Sequence, residues 1–177
     1  MDRTISISVI AVSVAIMAAV FDVRERRIPN MLTYPGFILG IVLHASYWGW
    51  KGLLSAVLGA VFFGGLFLVF YVVRAMGAGD VKLAAALGCL VGTPASLNLM
   101  AATAAAGGAL ALFYMVRAQR VRQTFRNTFS VLVFHGHFGL QAHPTVNLEN
   151  PQALRMPYGL AFAAGAALWF LSSSPWR

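Results

Sequence analysis

Five acidic side chains, Asp2, Asp22, Glu25, Asp80 and Glu149, occur in the 177 residues, and two of them stand where a carboxylate is expensive. Asp22 closes the apolar run that begins near residue 5, and Asp80 immediately precedes another that starts at Val81. Ionisable groups against membrane-length apolar runs default to functional candidates. Two carboxyl groups brought together in a partly dehydrated site cannot both ionise easily. They lose their protons in two steps, leaving one acid and one base near neutral pH. Such a pair can activate a water against a carbonyl and protonate the oxygen and amine that result. Which aspartate is the acid and which the base is left open by the sequence.

Other chemistries find little support. His135, His137 and His143 lie in a polar stretch and His44 in an apolar one, so no Ser–His–Asp set is apparent. All four histidines read as ordinary surface or interfacial groups. Cys89 is the single cysteine, which rules out an intrachain disulfide and a multi-cysteine zinc site. It reads as a small packed hydrophobe. No metal or cofactor is expected.

Each acid also has a structural reading. Asp80 follows Gly77-Ala78-Gly79 and is placed to N-cap the helix that follows. Asp22 falls at the C-terminal end of a helix, where the macrodipole disfavours negative charge, and an i,i+4 pair with Arg26 would offset that. The neighbourhood sharpens the functional reading. Asp22 opens the string Asp22-Val23-Arg24-Glu25-Arg26-Arg27-Ile28-Pro29-Asn30. Pro29 ends any helical continuation, and Asn30 is the expected N-cap of the next helix. Gly77 and Gly79 permit a tight loop with close backbone approach, as an extended substrate requires. Lys82 is expected either to orient Asp80 or to meet a lipid phosphate.

The elements that must position these groups are membrane helices. The chain is 59% hydrophobic and only 10% charged, too little charge to cover a soluble domain. Its mean hydropathy is +0.75. Residues 83–116 form a stretch of 34 without Asp, Glu, Lys, Arg or His, longer than one typical span of about 20. Six spans account for the apolar runs: about 5–21, 31–50, 52–73, 81–93, 95–116 and 157–174. The fold class is therefore all-α, a single membrane-embedded domain over residues 1–177 with one substantial loop at about 118–155. Residues 1–21 read as a retained first span rather than a cleaved signal, since Asp2 and Arg3 cancel while Arg24, Arg26 and Arg27 follow the run.

Ten of the thirteen basic residues fall on one side of this arrangement, including Arg24, Arg26, Arg27, Arg74, Lys82 and Arg117. The other side holds Arg3, Lys51 and Arg177, so both termini are expected outside and the basic loops in the cytoplasm. The net charge of +8 is thus orientation rather than a nucleic-acid footprint, with anionic lipid headgroups as a further partner. Trp48, Trp50, Trp169 and Trp176 fall near outer span ends, where amphipathic rings prefer the interface. Gly92-Thr93-Pro94 reads as a turn, leaving a fourth helix of about 18–20 Å against a hydrocarbon core of about 30 Å. Water must then reach the Asp80 loop, or the bilayer must thin there. The glycines and alanines of residues 101–108, with Gly64-Gly65, read as close helix packing. In the loop, Phe125, Phe129 and Leu132 oppose Arg122, Arg126 and Ser130 at helical spacing, a pattern for a helix lying on the inner membrane surface.

An aspartate followed six residues later by Ile28-Pro29-Asn30, then Gly77-Ala78-Gly79-Asp80-Val81-Lys82 ahead of a span, resembles the prepilin peptidase family. Its second motif is the GxGD signature of intramembrane aspartyl proteases. Met156-Pro157-Tyr158-Gly159, entering the last span, is similar to that family's C-terminal motif, so the resemblance runs from the first span to the last. It implies Asp22 and Asp80 as the catalytic aspartates, with Gly77, Gly79, Lys82, Ile28, Pro29, Asn30, Pro157 and Gly159 shaping loops or binding substrate. It implies a bacterial inner-membrane enzyme that cuts a basic prepilin or pseudopilin leader after glycine, at the cytoplasmic face. The long forms carry an N-terminal zinc region with paired CxxC motifs and N-methylate the new terminus. This chain shows no such region, so methylation is not carried over, and the chain looks like the short branch associated with Flp, or tight-adherence, pili. Two other classes stay open: an ion or proton-coupled transporter, which would place acids at mid-membrane, and a non-catalytic pilus assembly subunit, which would tolerate loss of either acid. A presenilin-like peptidase lacks its Tyr-Asp motif here.

Overall fold

The computed structural model describes residues 3–141 and 156–173, and its elements are helices: α1 (Arg3–Glu25), α2 (Asn30–Val72), α3 (Ala78–Val91), α4 (Thr93–Arg117), α5 (Val121–Phe138) and α6 (Tyr158–Ser173). Trp176, His143 and the second half of the polar loop lie outside the described residues. Three helices, α1, α2 and α4, are long and apolar enough to cross a membrane, and α6 is a shorter apolar helix.

The two spans expected over 31–50 and 52–73 form one helical run broken at Gly49, whose φ of 59° and ψ of −141° suit a residue without a side chain. The break reverses the chain. Gly40 and Gly59, on either side of it, both pack on α3, the first against Cys89 and Leu90 and the second against Gly88 and Gly92. α3 therefore lies between the two arms of α2. Leu83, Ala84, Ala86, Leu87, Gly88, Cys89, Leu90 and Val91 are all buried, as expected of a helix apolar all round.

Glycine makes this close packing feasible. A Cβ on Gly59 would collide with the Gly88 carbonyl oxygen, and one on Gly64 would sit 2.8 Å from the Ala85 Cβ. Gly59→Ala should accordingly destabilise the protein by about 1–3 kcal/mol through overpacking, read as a lower thermal midpoint in mild detergent. Gly65→Ala should be silent, since nothing lies within 4 Å of that position.

The far end of α3 is pinned by polar contacts. The His44 Nε2–H donates to the Leu90 carbonyl at 2.9 Å, and the Thr93 hydroxyl donates to the Ser55 carbonyl at 2.8 Å. His44 is thus buried and not a surface or interfacial histidine; a Cβ on Gly92 would stand 2.8 Å from its ring. Trp169 likewise departs from the expected interfacial role. It is 4% exposed, in the core with Phe63, Phe67 and Phe162, whose ring centroids are 5.0–5.8 Å apart. Trp48 and Trp50 are exposed. Cys89 is buried and its thiol donates to the Phe37 carbonyl at 3.3 Å.

Candidate active site

Asp22 sits one turn before the end of α1. The helix stops at Glu25 because Arg26 turns left-handed, with φ of 51°, and Pro29 cannot continue it. Pro29 takes the N-cap position of α2, with φ of −72° and ψ of 141°, so Asn30 is the first helical residue and not the cap expected. Its side chain does other work: the Asn30 Oδ1 accepts a 2.9 Å hydrogen bond from the Lys82 ammonium. The same ammonium lies 5.3 Å from the centre of the Tyr34 ring. Lys82 therefore ties the start of α3 to the start of α2. Ile28, buried between the two helices, packs against Gly79, where a Cβ would come within 3.2 Å of the isoleucine Cβ.

Asp80 is not the N-cap of α3 either. Gly77 holds that position, and Asp80 is the third residue of the helix, reaching back so that its Oδ2 accepts the Gly77 N–H at 3.2 Å. This is the carboxylate half of a capping box, the glycine having no side chain to complete it.

The start of α6 brings in the last component. Gly159, in the first helical turn behind Pro157, donates its N–H to the Asp22 Oδ2 at 2.7 Å. Asp22 thus lies at the C-terminal end of one helix and against the N-terminal end of another. The second offsets the unfavourable dipole of the first and supplies a donor. That hydrogen bond, rather than an ion pair with Arg26, is what holds the carboxylate, which is only 9% exposed.

Both carboxylates line one cavity of about 490 Å³. Its walls are Asp22, Val23 and Arg26 at the end of α1, Ala75, Met76, Gly77 and Asp80 at the start of α3, Tyr114 from α4, and Met156, Pro157, Tyr158 and Leu160 at the start of α6. Asp80 stands ahead of the apolar stretch of α3, outside the membrane-spanning segments, and its carboxyl is pushed up to about 6. Burial is the main cause, the negative charge of Asp22 adds to it, and the Gly77 N–H opposes it. A carboxyl group titrating there holds or releases a proton close to physiological pH. The site therefore offers two carboxyl groups and a partly apolar trough beside them.

Of the residues the sequence marks, Asp22, Asp80, Gly77 and Pro157 line the cavity and Gly159 supplies the donor to Asp22. Gly79, Ile28, Pro29, Asn30 and Lys82 form the brace behind it, between the starts of α2 and α3. Met76, Tyr114 and Tyr158 are wall residues that the sequence did not single out, and Arg26, expected only as an ion-pair partner of Asp22, lines the wall too. Tyr158 stands inside a marked motif, but nothing in the apolar sequence of α4 distinguishes Tyr114. Among the described residues no group of three or more His, Cys, Asp or Glu could hold a metal ion.

Comparison with known proteins agrees with the motif spacing. No curated protein and no solved structure matches the chain. The family model described as the type IV leader peptidase family matches residues 9–112. That stretch includes Asp22, the Ile28-Pro29-Asn30 turn and the Gly77–Asp80 loop, and ends before α6. With a match over more than half its length, this membrane protein belongs to the type IV leader peptidase family, a family of proteases.

Proposed function

We propose that the protein is an aspartyl endopeptidase that removes the leader peptide from Flp-like prepilins at the cytoplasmic face of the bacterial inner membrane. The observation that carries this reading is the shared cavity: two carboxyl groups, 58 residues apart in sequence, face one space open enough for a peptide and a water. Asp80 acts as the acid and Asp22 as the base. Asp22, already holding the Gly159 N–H, takes a proton from water as the water oxygen attacks the scissile carbonyl, while Asp80 gives its proton to the carbonyl oxygen. Collapse of the tetrahedral carbon then breaks the C–N bond: one hydroxyl returns its proton to Asp80 as the carbonyl re-forms, and the departing amine takes the proton held on Asp22.

Substrate and topology follow from charge and family. A basic leader suits a cavity bearing two carboxylates, and the hydrophobic stem that follows the cleavage point packs among the spans. In this reading the two arms of α2, with α1, α4, α6 and the part of α3 beyond Asp80, make six crossings, and the excess of basic residues in the loops beside the cavity favours the cytoplasm for that end.

Co-expression with a Flp-type prepilin tests the reading. Wild-type protein should shorten the pilin on a gel, whereas Asp22→Asn and Asp80→Asn should each leave it full length at matched membrane levels. Normal processing by either variant would remove the dyad from the mechanism.

A further inference from the structure

We propose that the corner between α4 and α5 is a binding site for the phosphate groups of anionic phospholipids, seated by a helix that lies in the membrane interface. The inference does not draw on the peptidase site. α4 is a candidate span ending at Arg117, and α5 starts only four residues later at Val121. The intervening turn is well ordered by its own backbone: Ala118 N–H donates to the Tyr114 carbonyl, Gln119 to Val116 and Arg120 to Met115, at 2.9–3.1 Å. Gln119 takes a left-handed φ of 54° to make it. The chain therefore enters α5 at the depth where a span meets the headgroups.

Two chemically different surfaces meet on this helix. Gln119, Arg120, Arg122, Gln123 and Arg126 wall an open cavity of about 800 Å³, with no carboxylate among them. Beside it, Phe125, Phe129 and Val133 recur every four residues and are 63%, 69% and 45% exposed. Among the helices α5 packs only against α4, so no helix covers this apolar stripe. A row of large apolar side chains flanked by arginines meets its requirements at one kind of surface, an anionic bilayer. There the rings enter the acyl boundary while guanidinium groups reach phosphate oxygens in forked pairs. Nucleic acid would satisfy the arginines and leave the stripe in water. A soluble acidic protein would satisfy both, but the attachment of α5 to the end of a span sets it against the bilayer first.

The test uses the full chain in lipid nanodiscs and reads hydrogen exchange over residues 121–138. In phosphatidylcholine discs, added phosphatidylglycerol should raise the protection of α5. Each arginine near a charged surface is worth about five-fold in affinity, so Arg126→Gln should raise the anionic fraction needed for half protection by that factor. The triple change R120Q/R122Q/R126Q should remove the dependence, and its lysine counterpart should keep most of it. F125S/F129S should lower protection at every lipid composition. Unchanged exchange elsewhere in the chain verifies that the variants are folded. Protection indifferent to phosphatidylglycerol would overturn the proposal, as would a dependence that survives the triple glutamine change. Equal protection from inorganic phosphate in neutral discs would also overturn it, by assigning the corner to a soluble anion.

Discussion

Asp80→Asn is expected to abolish leader cleavage and, above pH 6, to make the protein more stable. The two effects share one cause. In the folded protein the Asp80 carboxyl is raised from 3.8 to about 6, chiefly by burial and then by the charge of Asp22. Between those values the folded chain holds a proton that the unfolded chain has released, so stability falls as pH rises through that window. The deficit is complete above about pH 6. A shift of about two units corresponds to about 3 kcal/mol at most, and water in the open cavity lowers this to about 1–3 kcal/mol. Asparagine cannot ionise, yet its Oδ1 can still accept the Gly77 N–H. The variant should therefore match the wild type near pH 4 and exceed it at pH 8, as measured by thermal unfolding in mild detergent. Cleavage should fall by about 10²–10⁴-fold, the range for loss of a general acid. Asp22→Asn should be equally inactive, but it removes only the smaller of the two causes, so Asp80 should still titrate above 3.8 in that variant. A wild-type rate in Asp80→Asn, or lower stability at pH 8, would refute the assignment. A carboxylate kept for the fold would show the opposite sign, because its loss would destabilise.

The same residue shows what can be read from a sequence and what cannot. Apolar runs of span length predict helices without knowledge of their neighbours, and the helical architecture was legible for that reason. The break at Gly49 was legible to within two residues, because Lys51 interrupts the apolar run between the two expected spans. Turn chemistry was only half legible. Pro29 was correctly read as a barrier to α1, but whether Pro29 or Asn30 caps α2 depends on where Lys82 lies, and Lys82 belongs to a helix that only the fold brings near. His44 and Trp169 fail for a related reason. Both are amphipathic and stand near span ends, where the interface is the default, but here the space beside Gly92 takes the imidazole and the core takes the indole. The periodicity of Phe125 and Phe129 was legible as an amphipathic helix, since the spacing alone carries that signal. Tyr114 was invisible: one tyrosine at the end of an apolar span carries no mark of the cavity it faces.

Gly159→Ala is expected to cost nearly as much activity as loss of an aspartate, although it removes no functional group. A Cβ at Gly159 would lie 2.9 Å from the Ala19 Cα and the Asp22 Cβ, and 3.1 Å from the Ala18 carbonyl oxygen. These are backbone atoms or the first atom of a side chain, so rotamer changes cannot clear them. The first turn of α6 has to draw back from α1 and would stretch the 2.7 Å hydrogen bond from Gly159 to Asp22. Pro157, Tyr158 and Leu160 share that turn and wall the cavity, so the displacement reaches the substrate trough as well. A misplacement of about 1 Å at a reacting group can reduce rate by about 10²-fold, and overpacking of this kind destabilises by about 1–3 kcal/mol. Gly107→Ala supplies the control. It lies on α4 where that helix meets α6, but a Cβ there would make an ordinary 3.5 Å contact with Ala161, so it should cleave and unfold like the wild type. The informative comparison is cleavage rate measured well below the unfolding midpoint of each variant, which separates misplacement of Asp22 from simple loss of folded protein. If Gly159→Ala cleaves at the wild-type rate under those conditions, the hold of α6 on Asp22 is packing alone, and the base must be positioned by something other than the Gly159 amide.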